Sequence, residues 1–164
     1  IPEIDEDFAL ESLKQLITLE KDWVPGAPET SLYIRPTIIA MDPFLGVRAS
    51  HSYRYFVILS PVGAYYPQGF SAISILVQDR YVRAAPGGVG EAKTGGNYAA
   101  SLYMSEEVAR QGYTQVLWLD AIEGRYVEEV GAMNICFAYK DGTIATPSLA
   151  GTILPGVTRD SVGG

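Results

Sequence analysis

The chain has 164 residues, 48% of them apolar and 19% charged, with 12 Lys plus Arg against 19 Asp plus Glu for a net charge of −7. That apolar share supports a packed core and excludes a disordered tail, while the acidic balance lacks the basic stripe that nucleic acid or an anionic membrane attracts. A single cysteine, Cys136, and a single histidine, His51, exclude an internal disulfide and a Cys/His zinc site and point to a reducing, cytoplasmic setting. Apolar runs such as Tyr55 to Leu59 fall far short of the roughly 20 residues that span a bilayer.

The chain opens at Ile1 without Met and closes on Asp160 to Gly164, which reads as the start of a helix, so a portion of a longer subunit is expected. No signal-peptide pattern marks Ile1 to Glu6. Asp5 is placed to cap a helix over Glu6 to Glu20, where Leu13, Leu16 and Ile17 share one face. Pro25 and Pro28 follow it, and Leu32 to Met41 and Tyr53 to Pro61, rich in β-branched and aromatic residues, read as neighbouring strands. Pro61, Gly63, Pro67 and Gly69 mark a boundary, dividing the chain into a domain over 1–66, a linker over 67–73 and a domain over 74–164.

A strand over Ser74 to Gln78 opens the second part. From Pro86 to Gly96, six of eleven residues are Gly or Pro, and a helix is expected from near Gly96 to a stop at Gly112. Gln115 to Asp120, Tyr126 to Glu129 and Ala132 to Tyr139 read as strands, with a Lys140-Asp141-Gly142 turn leading into Thr143 to Thr146. The closing stretch, Gly151 to Asp160, reads as a tight loop opening a helix. Helices and strands mix without strict β–α–β alternation, which makes the expected class α+β.

Two loops carry chemical signals. Gly87-Gly88-Val89-Gly90-Glu91-Ala92-Lys93-Thr94 departs from the phosphate-cradling pattern G-x-x-x-x-G-K-[ST] at Ala92, and Arg83-Ala84-Ala85-Pro86 supplies no apolar strand ahead of it. Lys93 reads either as a solvated lysine or, between glycines and ahead of Asn97-Tyr98, as an amine nucleophile for an aldehyde. Gly156-Val157-Thr158 at a helix start reads either as a cap or as an anion site. Strand alternation predicts that one of Glu128 and Glu129 points in and the other out, and on its own Glu129 reads as a surface acid. His51 reads as an incidental surface residue, Cys136 as a small core residue in a strand, and Tyr33 and Tyr65 as packing aromatics. A lysine, a tyrosine, an inward carboxylate and an anion-binding helix end are together the parts that hold pyridoxal phosphate.

Gly95-Gly96-Asn97-Tyr98 after Lys93, Glu129-Val130-Gly131-Ala132-Met133-Asn134 and Leu154-Pro155-Gly156-Val157-Thr158-Arg159 resemble, in order and spacing, the signature blocks of branched-chain amino-acid aminotransferases of fold type IV. Tyr33-Ile34-Arg35-Pro36, Leu45-Gly46-Val47 and Pro61-Val62-Gly63-Ala64-Tyr65 resemble the substrate-side segments of the same family. The resemblance implies two mixed α/β domains, a homodimer, and transamination of leucine, isoleucine and valine with 2-oxoglutarate, yielding 2-oxo acids and L-glutamate. It implies that Lys93 carries pyridoxal 5′-phosphate and shuttles the substrate proton, and that Glu129 faces the ring nitrogen. Tyr98 would bond the ring's phenolic oxygen, Val157 and Thr158 would bind the phosphate, and Leu154 and Gly156 would be cofactor-binding beside them. On the substrate side it implies Tyr33, Arg35, Tyr65, Ala132 and Met133, with Val47 reaching the partner subunit. Ala132 stands where relatives commonly carry threonine, so one hydroxyl is missing. The family's upstream phosphate-gripping arginine and downstream Gly-Thr loop have no counterpart in the sequence. D-amino-acid aminotransferases and aminodeoxychorismate lyases share the fold and stand as alternatives, as does a non-catalytic fragment; a nucleotide hydrolase is the distant remaining reading.

Overall fold

A computed structural model describes residues 1–64, 66, 69 and 71–163. The chain separates into two compact units, Ile1–Ser71 and Ala72–Gly164.

The first unit opens with helix α1, Glu6–Leu19. Asp5 keeps an extended backbone and its carboxylate accepts the Phe8 N–H at 2.9 Å, which satisfies one of the donors a helix start leaves free. Strands β1 (Ser31–Ala40) and β2 (Tyr53–Val62) pair antiparallel, with Tyr33 opposite Ser60 and Arg35 opposite Ile58. Period-two alternation leaves Tyr33 and Arg35 exposed, while Leu32 and Ile34 are half-buried. Asp42 shapes the connecting loop: its carboxylate accepts the His51 N–H at 3.1 Å, the Ser52 N–H at 3.0 Å and the Ser52 hydroxyl at 2.5 Å, and pairs with Arg48 at 2.9 Å. These bonds draw the Asp42 carboxyl down to about 2, the Ser52 hydroxyl contributing most and the His51 N–H next.

In the second unit, strand β3 (Ile75–Gln78) runs parallel to β4 (Gln115–Leu119), and helix α2 (Gly95–Arg110) makes the crossover between them. Strand β5 (Val127–Val130) joins β4 antiparallel, so one sheet mixes both senses. The core forms where Met104 and Val108 of α2 meet Val116 and Trp118 of β4, with Leu76 packed beside them. Helix α2 ends as expected at Gly112, whose φ is +84°, with the Tyr113 N–H donating back to the Val108 carbonyl at 3.1 Å. Strands β6 (Phe137–Ala138) and β7 (Ile144–Ala145) form a hairpin, and helix α3 (Val157–Gly163) follows.

The expected strand over Ala132 to Tyr139 is mostly not a strand. Gly131 has φ +57° and opens a tight turn in which the Met133 N–H returns to the Val130 carbonyl at 2.9 Å, so the chain doubles back and only Phe137–Ala138 pairs further on. Cys136 is correspondingly exposed and outside any strand, not a core residue. No helix among the described residues is long and apolar enough to cross a membrane.

Candidate active site

The site in the second unit is organised by a bulge. Trp118 pairs with Glu129 and Leu119 with Val127, so Glu128 is an extra residue with no counterpart on β4. The bulge breaks simple alternation, and both acids are buried instead of one in and one out. The segment Thr152 to Leu154 engages each of them: the Thr152 hydroxyl donates to Glu128 Oε1, and the Leu154 N–H donates to Glu129 Oε1 at 3.0 Å. Glu129 is therefore no surface acid; its side chain is only 3% exposed.

Three groups converge on Glu129. Besides Leu154, the Asn134 Nδ2 lies 3.4 Å from Oε1 and donates also to the Leu154 carbonyl at 2.9 Å. Arg83, itself buried, pairs Nε to Oε2 at 3.0 Å without making a hydrogen bond there. Burial raises the Glu129 carboxyl above its ordinary range; the Arg83 charge and the Leu154 N–H oppose that, neighbouring Glu128 adds to it, and Lys93 pulls weakly down. Among the described residues Oε2 accepts no hydrogen bond, so it retains acceptor capacity. Arg83, Ala92, Asn97, Tyr98, Glu129 and Asn134 help line a cavity of about 30 Å³ beside the carboxylate.

The lysine loop is fastened to the start of α2. Asn97, buried at the helix start, donates through Nδ2 to the Val89 carbonyl at 2.7 Å and the Ala92 carbonyl at 2.9 Å. Lys93 is exposed, with its Nζ 5.3 Å from the Tyr98 ring centroid and no carboxylate within ion-pair distance among the described residues. Gly90 passes so close to the second loop that an added Cβ would meet the Thr152 carbonyl oxygen at 2.5 Å. That approach admits only glycine without a shift of backbone. Gly156, Val157 and Thr158 stand at the start of α3, where Val157 and Thr158 are exposed.

A family model described as amino-transferase class IV matches residues 1–162. The chain belongs to the class IV amino-transferase family. It is 57% identical over 162 residues to branched-chain-amino-acid aminotransferase 2 of Bacillus subtilis (strain 168), a match covering 99% of this chain and 44% of that protein. The crystal structure of the Escherichia coli branched-chain amino acid aminotransferase superposes with a TM-score of 0.74 at 32% identity, over 99% of this chain and 50% of that one. The T.th. branched-chain amino acid aminotransferase, crystallised with pyridoxamine 5′-phosphate, gives 0.76 at 28% identity over 99% and 50%. The chain thus spans about half the length, or less, of the relatives it matches.

Within this class IV chain the predicted residues fall into groups. Lys93, Tyr98, Glu129, Ala132, Met133, Leu154, Gly156, Val157 and Thr158 all belong to the second unit, where Tyr98, Glu129, Ala132 and Leu154 share the lining of one cavity. Tyr33, Arg35 and Val47 belong to the first unit. There the Arg35 Nη2 donates to the Tyr33 hydroxyl at 2.8 Å, and Val47 is fully exposed on the Asp42 loop. Tyr65 lies outside the described residues, as do Pro67 and Phe70 of the expected boundary. Sequence reasoning assigns no role to Arg83, Thr152 or Asn134, although all three act on the paired acids. An arginine set in the apolar and glycine-rich run ahead of Lys93 is the one signal that could have drawn notice.

Proposed function

We propose that this chain is the central part of a class IV amino-transferase subunit that moves the amino group of leucine, isoleucine or valine onto 2-oxoglutarate, with pyridoxal 5′-phosphate as cofactor and a homodimer as the working form. The observation that carries the reading is the buried Glu129, whose Oε2 retains acceptor capacity, on the unit that also holds the exposed Lys93 amine beside Tyr98. Relatives named for this activity at 57% and 32% identity support it. The residues fit the cofactor by their chemistry: an anion for a protonated ring nitrogen, an amine for an aldehyde, and the free N–H groups of a helix start for a phosphate.

When bound, the cofactor supplies a ring that accepts electrons from the substrate's α-carbon. Lys93 would hold it through its amine and would move the substrate's α-proton as general base and acid. Glu129 would keep the proton on the ring nitrogen, and the Tyr98 hydroxyl would bond the phenolic oxygen. Val157 and the Thr158 hydroxyl would hold the phosphate, with Gly156 leading into that helix start and Leu154 on the cofactor side through its bond to Glu129. On the substrate side, Arg35 offers its guanidinium fork to a carboxylate, with Tyr33 fixing its direction through the hydrogen bond its hydroxyl already accepts. Tyr65 is assigned to the apolar side-chain pocket, Ala132 and Met133 to substrate binding, Ala132 at the position beside the carboxylate, and Val47 to the second subunit. In this reading, 1–66 and 74–164 are parts of two domains joined by 67–73.

The test is an absorbance spectrum of the full-length subunit with pyridoxal 5′-phosphate, before and after L-leucine. A yellow band that bleaches with leucine, and is lost in Lys93→Ala, is expected. A colourless wild-type protein refutes the reading, and colour that leucine leaves unchanged moves it to a D-amino-acid aminotransferase or a lyase of the same fold.

A further inference from the structure

Arg83 is the charged side chain with the most to explain. Its side chain is 6% exposed, and its guanidinium touches three separate pieces of chain. Nε faces Glu129 Oε2 at 3.0 Å, while Nη2 donates to the Gly90 carbonyl at 3.1 Å and to the Thr152 carbonyl. Gly90 belongs to the loop that carries Lys93, and Thr152 to the segment that leads through Leu154 to the start of α3. A neutral donor could satisfy the two carbonyls; what only a cation supplies is the charge at Glu129.

We infer that Arg83 is the positioning residue that keeps Glu129 anionic and fixes it at a set offset from both the lysine loop and the phosphate-side segment. The inference rests on the reading of Glu129 as the partner of a ring nitrogen. The groups facing Glu129 make the case for a charge requirement. Glu128 on the same strand disfavours ionisation, burial disfavours it more, the Leu154 N–H and Asn134 amide favour it as neutral donors, and Lys93 is the only other cation acting on it among the described residues. Lys93 is exposed to solvent, whereas Arg83 is buried beside the carboxylate. Arg83 is then the one fixed positive charge among them opposing burial. Without it burial and the Glu128 charge act on Glu129 with less opposition, which favours its neutral form, and a neutral acid does not hold a ring nitrogen's proton by charge.

The experiment compares Arg83→Gln, which keeps hydrogen-bond donors without charge, with Arg83→Lys, which keeps charge without the fork, in the full-length subunit loaded with pyridoxal 5′-phosphate carrying ¹⁵N in the ring. For wild type the nitrogen shift is that of a protonated ring. Arg83→Gln is expected to move it to the unprotonated position, to displace the acid limb of kcat/KM upward by at least tenfold in proton concentration, and to lower kcat by about 10²–10³-fold, the scale of one lost electrostatic contact. Arg83→Lys is expected to hold the wild-type nitrogen shift and limb while kcat falls less. Two variants that behave alike, or a wild-type nitrogen shift in Arg83→Gln, overturn the inference. If Arg83→Gln does not fold, Arg83→Lys decides alone, since a limb displaced tenfold with the charge retained also overturns it. A wild-type subunit that takes up no pyridoxal 5′-phosphate refutes the functional reading instead, and an unloaded spectrum separates that failure from this one.

Discussion

Trp118→Phe tests how the core and the turn beyond β5 are joined. The indole is 1% exposed and its Nε1 donates to the Gly131 carbonyl at 3.0 Å, across from the turn that ends the strand carrying both acids. Phenylalanine keeps an aromatic ring in the core and deletes the donor. The hydrogen bond contributes about 1 kcal/mol net, and a carbonyl left without its partner in an apolar setting costs about 1 kcal/mol more. The missing pyrrole edge leaves a void of roughly 35 Å³, which at ~24 cal/mol per Å³ adds about 0.8 kcal/mol. The total is about 3 kcal/mol, roughly two powers of ten in the folded-to-unfolded ratio. Urea unfolding of the full-length subunit, followed by circular dichroism at constant slope, measures it. A loss below about 1 kcal/mol would mean that the carbonyl finds another donor or that the site collapses freely, and the joint between core and turn would be refuted.

Other outcomes follow from the same geometry. Gly156→Ala puts a Cβ onto Asn134 Oδ1 and must displace a side chain that holds Leu154 and Glu129; a loss of about 1–2 kcal/mol is expected, with weaker uptake of pyridoxal 5′-phosphate read by titration. The Asp42 carboxyl lies at about 2 in the fold against 3.8 ordinarily, so its support for the loop is present above pH 3.8 and is lost as pH falls toward 2. Faster exchange of the His51 and Ser52 amides over that interval, abolished in Asp42→Asn, is the expected record.

How far the sequence could be read depended on how local each determinant was. Helix α1 was legible because Asp5, its cap, and the face of Leu13, Leu16 and Ile17 lie within one segment. Strands β1 and β2 and the end of α2 at Gly112 were legible for the same reason. The path from Ala132 to Tyr139 was not, because its apolar composition suits a strand and the turn at Gly131 depends on a backbone angle and on contacts with β4. The burial of Glu128 was hidden by the bulge, and the importance of Arg83 by the distance in sequence to Glu129 and Thr152. Lys93, Tyr98 and Glu129 were singled out through ordered blocks whose match to the class IV family covers nearly the whole chain.

The unpaired rung at Glu128 also bears on how this strand tolerates change in length. Trp118 already faces Glu129, and Leu119 already faces Val127, so removing Glu128 would close the ladder into an even series with the ring-side acid still opposite Trp118. The incoming chain from Asp120 to Tyr126 would absorb the lost residue, since the Asp120 carboxylate gathers the Ile122, Glu123, Arg125 and Tyr126 amides into a self-contained knot. Insertions and deletions among natural variants are therefore expected to collect in that knot, since Glu128 itself is held by the buried Thr152 hydroxyl.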